Sequence, residues 1–129
     1  MSIIDKLTKA IAGRNGNLAK EVIHDDYKFL MHASGKTLGK QDVINWLKSG
    51  DVSEKNVRIL FENNEVGFKH AIVTFNDGNT EAVMSYFKFK DGKVIRQETG
   101  ATKINERKIC LKLDYQWLAQ KKAQYIKLL

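Results

Sequence analysis

"FKFKDGKVIRQE", Phe87 to Glu98, is the stretch on which the fold turns. Asp91-Gly92 sits between two runs of strand-forming residues. A two-residue hairpin turn needs positive φ at both central positions, and Asp-Gly adopts it with little strain. The stretch therefore reads as a tight antiparallel hairpin joining Glu81–Phe89 to Lys93–Ile104. It also poses a question of phase. With a bulge after Val94, Gln97, Thr99 and Ala101 point inward; without one, Arg96 and Glu98 do. One inserted residue turns every later side chain to the other face.

Upstream of the hairpin the pattern continues as a meander. Asn56–Glu62 and Phe68–Phe75 read as strands, separated by an Asn63-Asn64 turn, and Asn76-Asp77-Gly78 turns the chain into Glu81. Further back, Tyr27, Phe29 and Met31 alternate with Lys28, Leu30 and His32, the period of a strand. Helices precede and interrupt it. Ser2 caps a first helix with Ile3, Ile4, Leu7 and Ile11 on one face. Asn17 is the expected cap of a short second helix, Leu18–Ile23. A third, Gln41–Lys48, follows the Ser34-Gly35 turn and stops at Gly50. Helices first and a meander after them predict an α+β domain, an antiparallel sheet with helices over one face.

The chain has 129 residues, enough for one core. One cysteine, Cys110, permits no internal disulfide and has no partner for a zinc site. Neither a secretory h-region nor an apolar run of roughly twenty residues is visible, so a cytoplasmic protein is expected. The net charge of +7 is uneven: residues 1–102 hold 15 Lys and Arg against 13 Asp and Glu, and residues 103–129 hold 7 against 2. This divides the chain into a body, 1–104, and a basic extension, 105–129, with a helix expected from Asp114 to Leu129. Docking on its own domain or a dimer mate is the favoured role for that helix, ahead of membrane contact. No stacking platform accompanies its charges, so specific nucleic-acid binding is not expected.

Three local patterns carry a family resemblance: "NLAKEVIHDDYKF", "SGKTLGKQDVINWL" and "FKFKDGKVIRQE". Their order resembles that of the nuclear transport factor 2-like superfamily, and within it the SnoaL-like proteins. The resemblance implies a cone: a strongly curved sheet closed by helices around a pocket. It also implies where enzymes of this type carry their chemistry. The positions matching the isomerase tyrosine and two carboxylates fall near Lys9, at Met31 and at Ser85, and the cyclase acid falls at Thr102. None of these residues has the required chemistry.

The site expected from the residues is accordingly a mostly apolar ligand pocket built from Tyr27, Phe29, Met31, Trp46, Ser85, Tyr86, Phe87, Gln97 and Thr99. It would take a small apolar or semi-polar ligand, with no cofactor and no metal. The His24-Asp25-Asp26 run reads as solvated or capping, since adjacent acids do not converge on one ion without a loop to fold them. A homodimer through the outer sheet face is expected, because that face carries apolar as well as charged residues. Two alternatives stay open. One is an isomerase, cyclase or lyase with His32 or Glu98 as general base and Tyr86 or Tyr27 as donor; an inward Glu98 among apolar neighbours would have its pKa raised. The other is an interaction module recruiting an acidic partner through the basic extension.

Overall fold

The computed structural model describes residues 1–104; the basic extension and every expectation attached to it lie outside the described residues. The body has the order α1 (Ile3–Ala12), α2 (Gly16–Val22), β1 (Ile23–Met31), β2 (Lys36–Gly39), α3 (Lys40–Ser49), β3 (Val52–Glu62), β4 (Val66–Phe75), β5 (Thr80–Lys90) and β6 (Lys93–Ile104). None of these helices is long and apolar enough to cross a membrane.

Local chemistry accounts for the helix ends. Ser2 and Asp5 form a reciprocal capping box on α1, satisfying donors the helix cannot pair itself. The cap of α2 is Asn15, whose side chain accepts from Leu18 N at 3.1 Å, so the helix starts before the expected Asn17. Asp42 accepts from Gly39 N at 3.0 Å at the start of α3, and Gly50, with φ +73°, closes its other end in the left-handed region.

The six strands form one curved sheet in the order β2-β1-β6-β5-β4-β3. The α+β cone expected from the sequence is present, with one difference in the sheet. β1 runs parallel to β6, so the sheet is mixed rather than wholly antiparallel. The first strand enters beside the last, and both run the same way once three helices have been laid over one face. β2 is an added edge strand after the Ser34-Gly35 turn. β3 begins four residues before the expected Asn56, which has φ +53° and sits in a register shift between Lys55 and Arg58. A residue that looked like a strand start is a bulge inside a longer strand, and such bulges bend a sheet.

The helices pack on the inner face. Ile4 and Leu7 of α1, Ile44 and Leu47 of α3, and Ile23, Phe87 and Val94 of the sheet form the buried core. α1 comes very close to β4 at Gly67, where an added Cβ would lie 2.5 Å from Ile4 Cδ1. Glu62 of β3 also accepts from Ile3 N at 3.2 Å, placing a carboxylate at the positive end of α1.

The phase question of the last strand is resolved by a bulge. Asp91 and Gly92 both have positive φ, 55° and 72°, as the turn requires. Phe89 pairs with Val94 and Lys88 with Arg96, which leaves Ile95 as the extra residue. Gln97, Thr99 and Ala101 consequently face the helices. Deleting Ile95 removes the extra residue yet keeps Lys88 opposite Arg96 and Phe87 opposite Gln97, so the variant should fold with Gln97 and Thr99 still inward and lose no more than about 0.5–3 kcal/mol, the range of an ordinary single change. Urea denaturation of the deletion variant against the parent checks this.

Candidate functional site

A cavity of about 210 Å³ lies between the inner face of the sheet and helices α1 and α3. Leu7 and Ile11 of α1 and Val43, Trp46 and Leu47 of α3 form its helical side. Phe29, Met31, Val73, Phe75, Val83 and Ala101 supply most of the sheet side. Pockets for drug-sized ligands measure roughly 300–1,000 Å³, so this space suits a smaller molecule.

Six of the residues expected at the pocket line it: Phe29, Met31, Trp46, Ser85, Gln97 and Thr99. Tyr27 and Phe87 do not; they are packed in the core beneath, 1% and 0% exposed. Tyr27 still acts on the wall from behind. Its hydroxyl donates to Gln97 Oε1 at 2.7 Å, and burial pushes its pKa well above the ordinary tyrosine value. That bond fixes the Gln97 amide and leaves its NH₂ free of Tyr27. Trp46, half-buried, also finds a partner for its indole: its Nε1 donates to Asp51 Oδ2 at 2.9 Å, and its ring stacks on Phe75 with centroids 6.2 Å apart.

Tyr86, His32 and Glu98 are not part of the cavity wall. Tyr86 packs against Phe68 across the outer face, ring centroids 5.6 Å apart. Glu98 is directed to the outer face by the Ile95 bulge. There its carboxylate accepts from Arg96 Nε at 2.9 Å and lies 2.9 Å from His32 Nε2. Arg96, then His32, hold the Glu98 carboxyl below the usual carboxylate range. This is the reverse of the rise expected for an inward Glu98, and the cause is the same bulge. A carboxylate so held is a poor proton acceptor and has no access to the cavity from that face.

The ionisable groups that do line the cavity were missed in the sequence. Lys69 of β4, 2% exposed, and Glu54 of β3 form an ion pair with Nζ and Oε2 2.8 Å apart. Lys69 Nζ also lies 3.4 Å from Thr8 Oγ1 and 5.9 Å from the Phe87 ring centroid. Glu54 Oε1 is buried with no hydrogen-bond partner, and Glu81 lines the same cavity. A signal for Lys69 exists: Gly67, Lys69, Ala71, Val73 and Phe75 occupy the alternate positions of one strand, so a lysine stands in an otherwise apolar row. Glu54 had no such signal, because it precedes the Asn56 bulge and fell before the expected strand.

The sheet also sets the pair beside other polar groups. Lys69 pairs with Ser85, Ser85 with Thr99, and Thr99 with Met31, on four neighbouring strands. Lys69, Ser85 and Thr99 are the buried polar residues among those described, and all three line the cavity.

Neither a protein-family model nor a curated protein matches the sequence. Solved structures do. An NTF2-like protein of unknown function from Cytophaga hutchinsonii superposes with a TM-score of 0.67 at 13% identity, over 78% of this chain and 87% of that one. A ketosteroid isomerase-like protein from Kribbella flavida gives 0.68 at 16% identity, over 81% and 78%. An LEH-like epoxide hydrolase from M. tuberculosis gives 0.60 at 12% identity, over 78% and 80%. The chain has the nuclear transport factor 2-like fold.

The buried ion pair makes a direct stability prediction. Removing one partner leaves the other charged and unpaired away from water. Lys69→Met or Glu54→Gln alone should each cost about 3–5 kcal/mol, while the double variant should recover most of that loss. A double-mutant cycle by chemical denaturation measures the coupling.

Proposed function

We propose that this domain binds a small, mostly apolar molecule in the cavity between the sheet and α1 and α3. The observation that carries the reading is the lining: aliphatic and aromatic side chains from both helices and several strands surround a space of about 210 Å³. Apolar burial supplies the binding free energy, roughly 25 cal/mol for each Å² removed from water. Proteins of this fold include an isomerase-like protein and an epoxide hydrolase, which fits use of the cavity for small organic molecules. Fold alone assigns neither activity.

A catalytic reading has one specific observation in its favour, the Glu54 carboxylate in the cavity wall. In that reading Glu54, rather than His32 or Glu98, is the base. Turnover of ketone or epoxide substrates by the parent and its loss in the Lys69→Met/Glu54→Gln double variant would establish it.

We also propose that the outer sheet face pairs with a second copy of the chain. Phe61, Phe68 and Met84 are 52%, 37% and 43% exposed. Phe61 pairs with Phe68, and Phe68 with Tyr86, so the apolar surface is continuous across strands. A contiguous patch of this kind marks a contact surface. Light scattering should give a dimer mass, and Phe68→Lys should shift it to a monomer; a monomeric parent at high micromolar concentration removes this part of the reading.

The cavity itself is tested through Trp46. The chain has two tryptophans, so Trp117→Phe leaves Trp46 as the reporter. Toluene should produce a saturable change in its emission, and Ala101→Phe, which fills the cavity, should abolish that change. An unaltered response in Ala101→Phe places binding elsewhere.

A further inference from the structure

We propose that the row Lys69, Ser85 and Thr99 is the oxygen-binding wall of the cavity, and that its ligand is an uncharged apolar molecule carrying one acceptor oxygen, such as a ketone, ester or ether. This rests on the reading that the cavity binds a small apolar molecule, and adds what kind.

Polar side chains lining an apolar cavity are costly unless something bonds them. Here three stand on adjacent strands of one row. Neighbouring strands are about 4.8 Å apart, so one oxygen lying between two of these side chains is within reach of both. The groups offered are donors. An ammonium has three N–H bonds. Glu54 Oε2 takes one at 2.8 Å, and Thr8 Oγ1, at 3.4 Å, is a long second partner. Capacity to donate therefore remains on a side chain that is only 3% exposed. Ser85 and Thr99, 4% and 8% exposed, add hydroxyls that can turn to donate. Glu54 Oε1 is buried without a hydrogen-bond partner, while its Oε2 holds the Lys69 ammonium.

Charge selects a neutral molecule. Lys69 is already matched by Glu54, and Glu81 lines the same cavity. An anionic ligand would bring a further negative charge to two carboxylates and one ammonium. A cationic ligand would compete with Lys69 for Glu54 and set two like charges together. A dipolar oxygen needs neither change. Glu54 then acts as a positioning residue that holds the Lys69 ammonium against the wall.

The experiment is calorimetric titration of the full chain with three probes of one shape: cyclohexanone, methylenecyclohexane and cyclohexanecarboxylate. Cyclohexanone should bind about tenfold tighter than the hydrocarbon, the scale of one hydrogen bond to a charged donor, and the carboxylate should bind most weakly. Lys69→Met alone strands a buried carboxylate and can fail to fold. The Lys69→Met/Glu54→Gln double variant removes both charges together, and Ser85→Ala leaves the ion pair intact. Both should bring the ketone-to-hydrocarbon ratio toward one by weakening the ketone only. If the hydrocarbon binds but the parent shows no ketone preference, or both variants keep it, or the carboxylate binds tighter than the ketone, the oxygen-binding wall is refuted and the apolar cavity reading stands. If none of the three binds, both are refuted.

Discussion

One unpaired residue in β6, Ile95, determines which chemistry faces the helices. Side chains alternate along a strand, so leaving this residue unpaired, rather than letting the alternation run through it, exchanges the two faces for everything after it. With it, Gln97, Thr99 and Ala101 line the cavity and Arg96 and Glu98 form a surface cluster with His32. The rest of the site follows from that choice. Gln97 can accept from Tyr27 only because it points inward, and Thr99 can continue the row of Lys69 and Ser85 only because it shares their face.

The molecule thus holds two ionic clusters of different character on opposite faces of one sheet. The outer one, Arg96, Glu98 and His32, is in reach of water, where such contacts contribute little to stability. The inner one, Lys69 and Glu54, is buried, where each charge needs the other. The outer cluster holds groups of the type general acid–base chemistry uses, yet has no cavity. The inner cluster has the cavity, and pairing already constrains both of its members. An ammonium held by a carboxylate has a fixed position, which suits it to orienting a dipole.

Much of this was legible in the sequence, because the strongest signals are local. Asp91-Gly92 located the hairpin, Ser2 the first helix, and Gly50 the end of the third. What the sequence left hidden depends on long-range pairing. The parallel placement of β1 beside β6 has no local signature, and the start of β3 was obscured by Asn56, whose bulge mimics a strand boundary. The pocket residues divide in the same way. Phe29, Met31 and Trp46 were found from periodicity and side-chain type. Tyr27 and Phe87 share the inward face but lie where helices cover it, and Tyr86 occupies the alternate phase. Glu54 and Lys69 acquire meaning only when their strands are laid side by side.

The parallel pairing of β1 with β6 also sets an order of events as the chain is synthesised. β3 through β6 are successive antiparallel neighbours, each joined to the next by a short turn, so their pairing closes small loops. β1 precedes them all, yet its Leu30 pairs with Glu98 in β6, the last of the described strands. Until that strand has left the ribosome, β1 lacks its parallel partner, and the helices above it cover an incomplete wall. Non-local contacts of this kind slow folding, because the intervening chain must be ordered before they form. The seam that closes the cavity is therefore expected to be the last part of the sheet to assemble.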